Sequence, residues 1–131
     1  EEMTQWIVEN LGPDVPLHFS AFHPDWKMLD KERTPPATLI RARDIAMKNG
    51  VRYAYTGNVH DKPTQSTYCH HCGEMLIGRD WYELSDWGLQ FGGNHLADCK
   101  NCGTQLAGVF EETRGDWGRK RAPLHFKRPT A

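Results

Sequence analysis

Four cysteines constrain this chain more than any other feature. They read Cys69-His70-His71-Cys72-Gly73 and Cys99-Lys100-Asn101-Cys102-Gly103, with twenty-six residues between Cys72 and Cys99. Two residues between paired cysteines let both thiolates turn toward one metal at about 2.3 Å, and two such pairs complete a tetrahedron. The glycine after each pair fits the same picture, because a tight knuckle needs a residue that tolerates positive φ and lets backbone N–H groups approach sulfur. Two disulfides would demand an oxidising compartment, and a CxxC redox pair would open a helix; neither pair here begins a helical pattern. The spacing therefore predicts one site built by Cys69, Cys72, Cys99 and Cys102. Zinc and a rubredoxin-type iron both suit four thiolates. His70, His71 and His95 offer a mixed Cys/His site as the alternative, but four cysteines already complete the coordination.

The spacer exceeds the roughly 15 to 20 residues usual between zinc-binding pairs, so a long hairpin must join the knuckles. Met75-Leu76-Ile77 reads as a strand, Gly78-Arg79-Asp80 as a turn, and Trp81 to Leu89 as a second strand rich in aromatics. Gly92-Gly93-Asn94 returns the chain to the second knuckle, and Gln105 to Phe110 reads as the last strand. Trp81, Tyr82 and Trp87 are expected in the ribbon core. So small a core depends on the metal for much of its stability.

Ahead of the cysteines the pattern changes. Met3, Trp6, Ile7 and Asn10 share one helical face, with Gly12-Pro13 as a stop. Val15 to Phe22 is a short apolar run bounded by prolines and reads as a buried strand. Thr34 is a predicted N-cap with Pro35 at the first helical position. Leu39, Ala42, Ile45, Ala46 and Met47 form the apolar stripe of the helix that follows, and Asn49-Gly50 closes it. Val51 to Thr56 is the next strand, and the polar residues 59–68 read as a linker. Helix, strand, helix, strand is the order of a parallel α/β unit. Two parallel strands alone leave open edges and a bare face. Residues 1–58 thus resemble the end of a larger barrel or doubly wound sheet, the alternative being a small α+β domain whose sheet is covered by the ribbon. The fold class read from the sequence is α/β: the C-terminal strands and helices of a partial (β/α) barrel (residues 1–58), the linker, a small rubredoxin-like or zinc-ribbon β module (residues 69–112) and a basic tail (residues 113–131).

Charge narrows the partners. Sixteen Lys and Arg stand against seventeen Asp and Glu, a formal net charge of -1, which gives no global case for nucleic acid or an anionic membrane surface. The basic tail is the one local exception, and such a run is ordinarily a solvated terminus. No apolar run approaches the roughly 20 residues of a membrane span. The N-terminus lacks a signal-peptide pattern, so the expected location is cytoplasmic. It opens on Glu1-Glu2 rather than methionine, which reads as an excised piece or a processed product. Chemistry in α/β sheets gathers at the C-terminal ends of strands, and those ends supply Ser20, His23, Thr56, Asn58 and, in the following loop, His60. His23 is the foremost of these, with a structural histidine as its plain alternative.

The runs His18-Phe19-Ser20-Ala21-Phe22-His23-Pro24-Asp25-Trp26-Lys27-Met28, Thr34-Pro35-Pro36 and Tyr53-Ala54-Tyr55-Thr56-Gly57-Asn58-Val59 resemble the C-terminal part of radical S-adenosylmethionine (SAM) enzymes of the AmmeMemoRadiSam system, relatives of the activating enzymes for pyruvate formate-lyase. The family's closing Gly-Val-Phe is similar to Gly108-Val109-Phe110. The resemblance implies a partial (β/α) barrel followed by a four-cysteine ribbon. It also implies a parent enzyme with a [4Fe-4S] cluster and SAM, the N-terminal part of that enzyme as partner, and a protein substrate or Memo-like system partner. The cluster-binding CxxxCxxC is absent here, so the resemblance implies a C-terminal portion that cannot cleave SAM alone. The other readings are an autonomous zinc-ribbon module that binds nucleic acid or protein, and a rubredoxin-like electron carrier.

Overall fold

The computed structural model describes residues 1–93 and 95–115. Its first part is helix α1 (Glu2–Leu11), strand β1 (Leu17–Ser20), helix α2 (Pro36–Lys48) and strand β2 (Ala54–Gly57). β1 and β2 pair in parallel, with Leu17 opposite Ala54 and Ser20 opposite Gly57, as the strand–helix–strand order requires. Alternation sorts the two faces. Leu17, Phe19 and Ala54 pack with Ala46 of α2, Val8 of α1 and Val51. His18 and Ser20 lie on the opposite side and are exposed. No closed barrel forms among the described residues; the sheet is a two-stranded parallel pair.

Three details differ from the sequence reading. In α1 the buried residue is Thr4, while Met3 and Trp6 are exposed. Thr4 Oγ1 accepts a hydrogen bond from Asn49 Nδ2 at 2.7 Å, so the packed face of α1 is the one that carries Thr4 and Val8 rather than Met3 and Trp6. Thr34 does not cap α2, whose N-cap is Pro35. Instead its hydroxyl accepts from the Phe22 amide at 3.0 Å and its own amide donates to Phe22 O at 3.0 Å, closing the neck of the loop between β1 and α2. Met47, placed on the apolar stripe, is exposed.

Residues 59–68, expected as a linker, are a packed hinge-piece: helix α3 (Lys62–Gln65) and strand β3 (Thr67–Tyr68), with Thr64, Gln65, Ser66 and Thr67 all buried. Polar side chains misled the reading because they satisfy backbone groups inside the fold. Ser66 Oγ donates to Lys62 O at 2.7 Å and accepts from the Arg79 amide at 3.0 Å; Gln65 donates to Val59 O and accepts from the Trp81 amide at 3.0 Å.

The ribbon follows as β4 (Met75–Asp80), β5 (Glu83–Trp87), β6 (Leu89–Phe91) and β7 (Ala97–Cys99). The antiparallel order is β3-β4-β5 in one sheet and β6-β7 in another. Gly78-Arg79-Asp80 is strand rather than turn, and the reversal falls at Trp81-Tyr82, with Trp81 at φ 55. Gly78 marks a bulge, since Ile77 faces Trp87 whereas Arg79 faces Leu84. The extra residue on β5 swings Ser85 and Asp86 across Gly78, where any Cβ would collide with both side chains. Trp81 and Tyr82 are exposed rather than core, because they form the turn; Trp87 does pack on the ribbon core of Leu76, Ile77, Leu89, Ala97 and Leu106. The expected last strand reduces to one bridge, Gln105 to Asp98. Asn94 and the tail beyond residue 115 lie outside the described residues.

Candidate metal centre

Each knuckle is built the same way. Cys69 N donates to Glu74 O at 2.9 Å and Gly73 N to Cys69 O at 2.9 Å; Cys99 N donates to Thr104 O and Gly103 N to Cys99 O, both at 2.8 Å. Gly73 and Gly103 both sit at φ 74, a left-handed conformation that glycine reaches without strain. β3 leads into the first knuckle and β7 into the second, and the apolar core that both sheets share brings the two together.

The four sulfurs lie within 4.8 Å of one another. Cys69 Sγ is 3.7 Å from Cys102 Sγ, and Cys72 Sγ is 3.7 Å from Cys99 Sγ. A tetrahedron with bonds of about 2.3 Å has edges of about 3.8 Å, so these two contacts match its edges and the other sulfur pairs, within 4.8 Å, lie close enough to share one Zn²⁺ or one iron. All four are free cysteines, Cys69 and Cys99 buried, Cys72 and Cys102 exposed. The donor set fits zinc and fits iron equally. No histidine joins it: His70, His71 and His95 are exposed and outside the cluster.

The surroundings tune the sulfurs unequally. The Thr104 hydroxyl, 3.2 Å from Cys102 Sγ, together with the Thr104 amide pulls the Cys102 thiol down to about 6. The Asn101 carboxamide, 3.5 Å from Cys72 Sγ, lowers Cys72 below the usual thiol range. Burial pushes Cys99 up to about 11, against the amides of Cys102 and Asn101 that favour its thiolate. Cys99 is therefore protonated at neutral pH before metal binds, and a metal must displace that proton. Zinc affinity is expected to rise with pH through the neutral range and to fall more steeply below about pH 6, where Cys102 also regains its proton. Competition against a chromophoric chelator at several pH values measures this. Affinity that stays flat from about pH 5.5 to 8 would contradict thiolate ligation.

The strand-end residues do not converge on one point. Thr56 Oγ1 is buried against Thr64 Oγ1 at 2.5 Å, and Asn58, at φ 59, donates to Ala21 O at 3.2 Å; both serve the turn after β2. Ser20 lies on the exposed face beside Gly57, whose missing Cβ leaves room for its hydroxyl. His60 accepts from Trp81 Nε1 at 2.7 Å. His23 is exposed on the loop after β1, away from the cleft that Thr56 and Asn58 line with Arg79, Trp81 and Tyr82. Sequence reading missed Arg79, and its only trace there was a charge in a run taken for a turn.

The fold and site together define an α/β unit joined to an antiparallel ribbon whose four clustered cysteines could hold one metal ion. The chain is 39% identical over 101 residues to Uncharacterized protein MJ0808 of Methanocaldococcus jannaschii, an alignment that covers 77% of this chain and 29% of that protein. The chain thus spans less than a third of the length of this relative. It matches no family model and no solved structure. No helix of the described residues is long and apolar enough to cross a membrane.

Proposed function

We propose that this chain is the C-terminal portion of a radical SAM enzyme, contributing the last α/β elements of a partial barrel and a structural zinc ribbon. The observation that carries the reading is an unfinished sheet. Leu17 N donates to Tyr53 O and Ala21 N to Gly57 O, so in a parallel ladder the backbone groups of His18 and Ser20 point to the outer edge of β1. A right-handed crossover through α1 would bring an earlier strand to that edge. Along the other edge, on β2, Arg43 Nε donates to Ala54 O at 2.9 Å, and α3 lies beside the strand with its Thr64 hydroxyl bonded to that of Thr56. The sequence runs from His18 to Met28 and from Tyr53 to Val59 support the family by resemblance.

In this reading the parent's [4Fe-4S] cluster and bound SAM supply the radical, and their ligands lie in its N-terminal part. The four cysteines here are committed to the ribbon. A cubane cluster with one open iron takes three protein thiolates, which this chain could provide only by dismantling its knuckles. Incubating the reconstituted chain with SAM and dithionite is expected to yield no 5′-deoxyadenosine, while the longer parent protein yields it. Turnover by these 131 residues alone, or none by an iron-loaded parent, would sink the proposal.

A second reading, a rubredoxin-like electron carrier, is favoured by one feature: Cys72 and Cys102 are exposed, which would place one side of an iron centre at the surface. Metal identity separates the two, since ferric thiolate is strongly coloured and zinc is colourless. The protein substrate and Memo-like partner belong to the first reading.

A further inference from the structure

A cleft of about 560 Å³ opens between the exposed face of β1–β2 and the Trp81-Tyr82 turn. Its size lies within the roughly 300 to 1,000 Å³ of small-molecule sites. Thr56, Gly57 and Asn58 form its floor, so it sits at the carboxyl end of β2, where α/β sheets collect ligands. None of the four cysteines lines it; it is separate from the metal centre.

Its charge is one-sided. Arg79 and His18 line it, and no acidic side chain does. The Arg79 guanidinium lies over the Tyr55 ring at 5.6 Å and donates through Nη1 to Thr67 Oγ1 at 3.1 Å. Thr67 Oγ1 is in turn 3.0 Å from the Tyr55 hydroxyl, and the His18 ring tilts against Tyr55 at 5.0 Å. The half-buried arginine is thereby fixed in place by a ring and a hydroxyl. Among the described residues it has no carboxylate partner, and a guanidinium carries five N–H donors, of which this arrangement uses few. Such a pre-set fork suits a carboxylate or phosphate, because the ordering cost is met before the ligand arrives. Trp81 and Tyr82 line the same cleft and keep 39% and 59% of their surface exposed. Flat rings at the mouth of a positive cleft favour a flat ligand body.

We propose that this cleft binds a small organic anion, a carboxylate or a phosphate ester, with its oxyanion on Arg79 and its flat body against Trp81 and Tyr82. The proposal stands without the radical-enzyme reading, and its test measures binding alone. Phenyl phosphate, benzoate and inorganic phosphate are titrated into the zinc-loaded full chain by calorimetry and by NMR of the indole N–H signals. Saturable binding of phenyl phosphate or benzoate, tighter than that of inorganic phosphate and shifting the Trp81 signal, is expected; the tighter of the two identifies the headgroup. Arg79→Gln should weaken it by about tenfold or more, with Arg79→Lys intermediate because the planar fork is lost. Should Arg79→Gln fail to fold, Tyr82→Ser at the exposed turn carries the test by abolishing the preference for phenyl phosphate over inorganic phosphate. Absence of binding by both aromatic anions, unchanged affinity in Arg79→Gln, or an intact preference in Tyr82→Ser would overturn the proposal.

Discussion

Cys99→Ser is expected to unfold residues 69–110 while β1, α2 and β2 keep most of their amide protection. Cys99 is fully buried and shares one core with Cys69, Leu76, Ile77, Leu89, Ala97 and Leu106, so two of the seven buried residues of that core belong to the candidate metal site. Structural zinc contributes about 10 to 16 kcal/mol of apparent binding free energy in small domains, comparable with the entire stability of an ordinary domain, about 5 to 15 kcal/mol. Loss of one buried thiolate forfeits a share of this that rivals what the short strands supply. The first part packs on separate clusters, Ala46-Val51-Ala54 and Ala21-Leu39-Val59. What stitches the halves together is mostly polar: the Ala107 amide on Tyr53 Oη at 3.2 Å, Tyr55 with its hydroxyl beside Thr67 Oγ1 and its ring under Arg79, Arg43 set over Tyr68 at 5.9 Å, Trp81 Nε1 on His60, and Gln65 between Val59 and Trp81. Such bonds contribute about 1 kcal/mol each, too little to drag the first part down with the ribbon. Hydrogen exchange read by mass spectrometry, on the variant and on wild type treated with a strong chelator, gives the answer. Equal loss of protection on both sides would mean one cooperative unit.

The knuckles were legible because their constraint is local. Two CxxC-Gly units can do little else, and the structure gives both the same turn and the same φ. The parallel pairing of β1 and β2 was legible from element order, since a helix between two short strands leaves few other topologies. What was hidden depends on distant partners. Ser66 and Gln65 look like loop residues until Arg79 and Trp81 are beside them, and Gly78 looks like a turn until the bulge on β5 brings Asp86 over it. Met3 and Trp6 have helical spacing, but the packed side of α1 is set by distant partners, Asn49 for Thr4 and the Ala46-Val51-Ala54 cluster for Val8. The cleft could not be read at all, because its arginine and its floor come from two different sheets.

Leu76→Ala is expected to lower the stability of the metal-loaded chain by about 2 to 5 kcal/mol, the range for truncating a fully buried leucine. Leu76 is completely shielded from solvent and lies near the start of β4, the central strand of the β3-β4-β5 sheet. The Gly88 backbone is close by: a Cβ there would be 3.4 Å from Leu76 Cα and 3.6 Å from Leu76 Cδ2. That backbone cannot collapse freely into the void, because the Gly88 amide is anchored to Leu76 O at 2.7 Å and its carbonyl accepts from the Lys100 amide at 3.0 Å. A cavity that cannot close puts the cost in the upper part of the range. The melting temperature should fall on the order of 10 °C or more. The metal should stay: Leu76 supplies no ligand, and the knuckle bonds at Cys69–Glu74 and Cys99–Thr104 do not pass through it. Cobalt substitution reports the two quantities separately, through the intensity of its tetrahedral thiolate bands and the temperature at which they vanish. An unchanged melting temperature would show that the ribbon core contributes little beside the metal, and loss of the bands at room temperature would show that packing, rather than the knuckles, holds the four sulfurs at tetrahedral spacing.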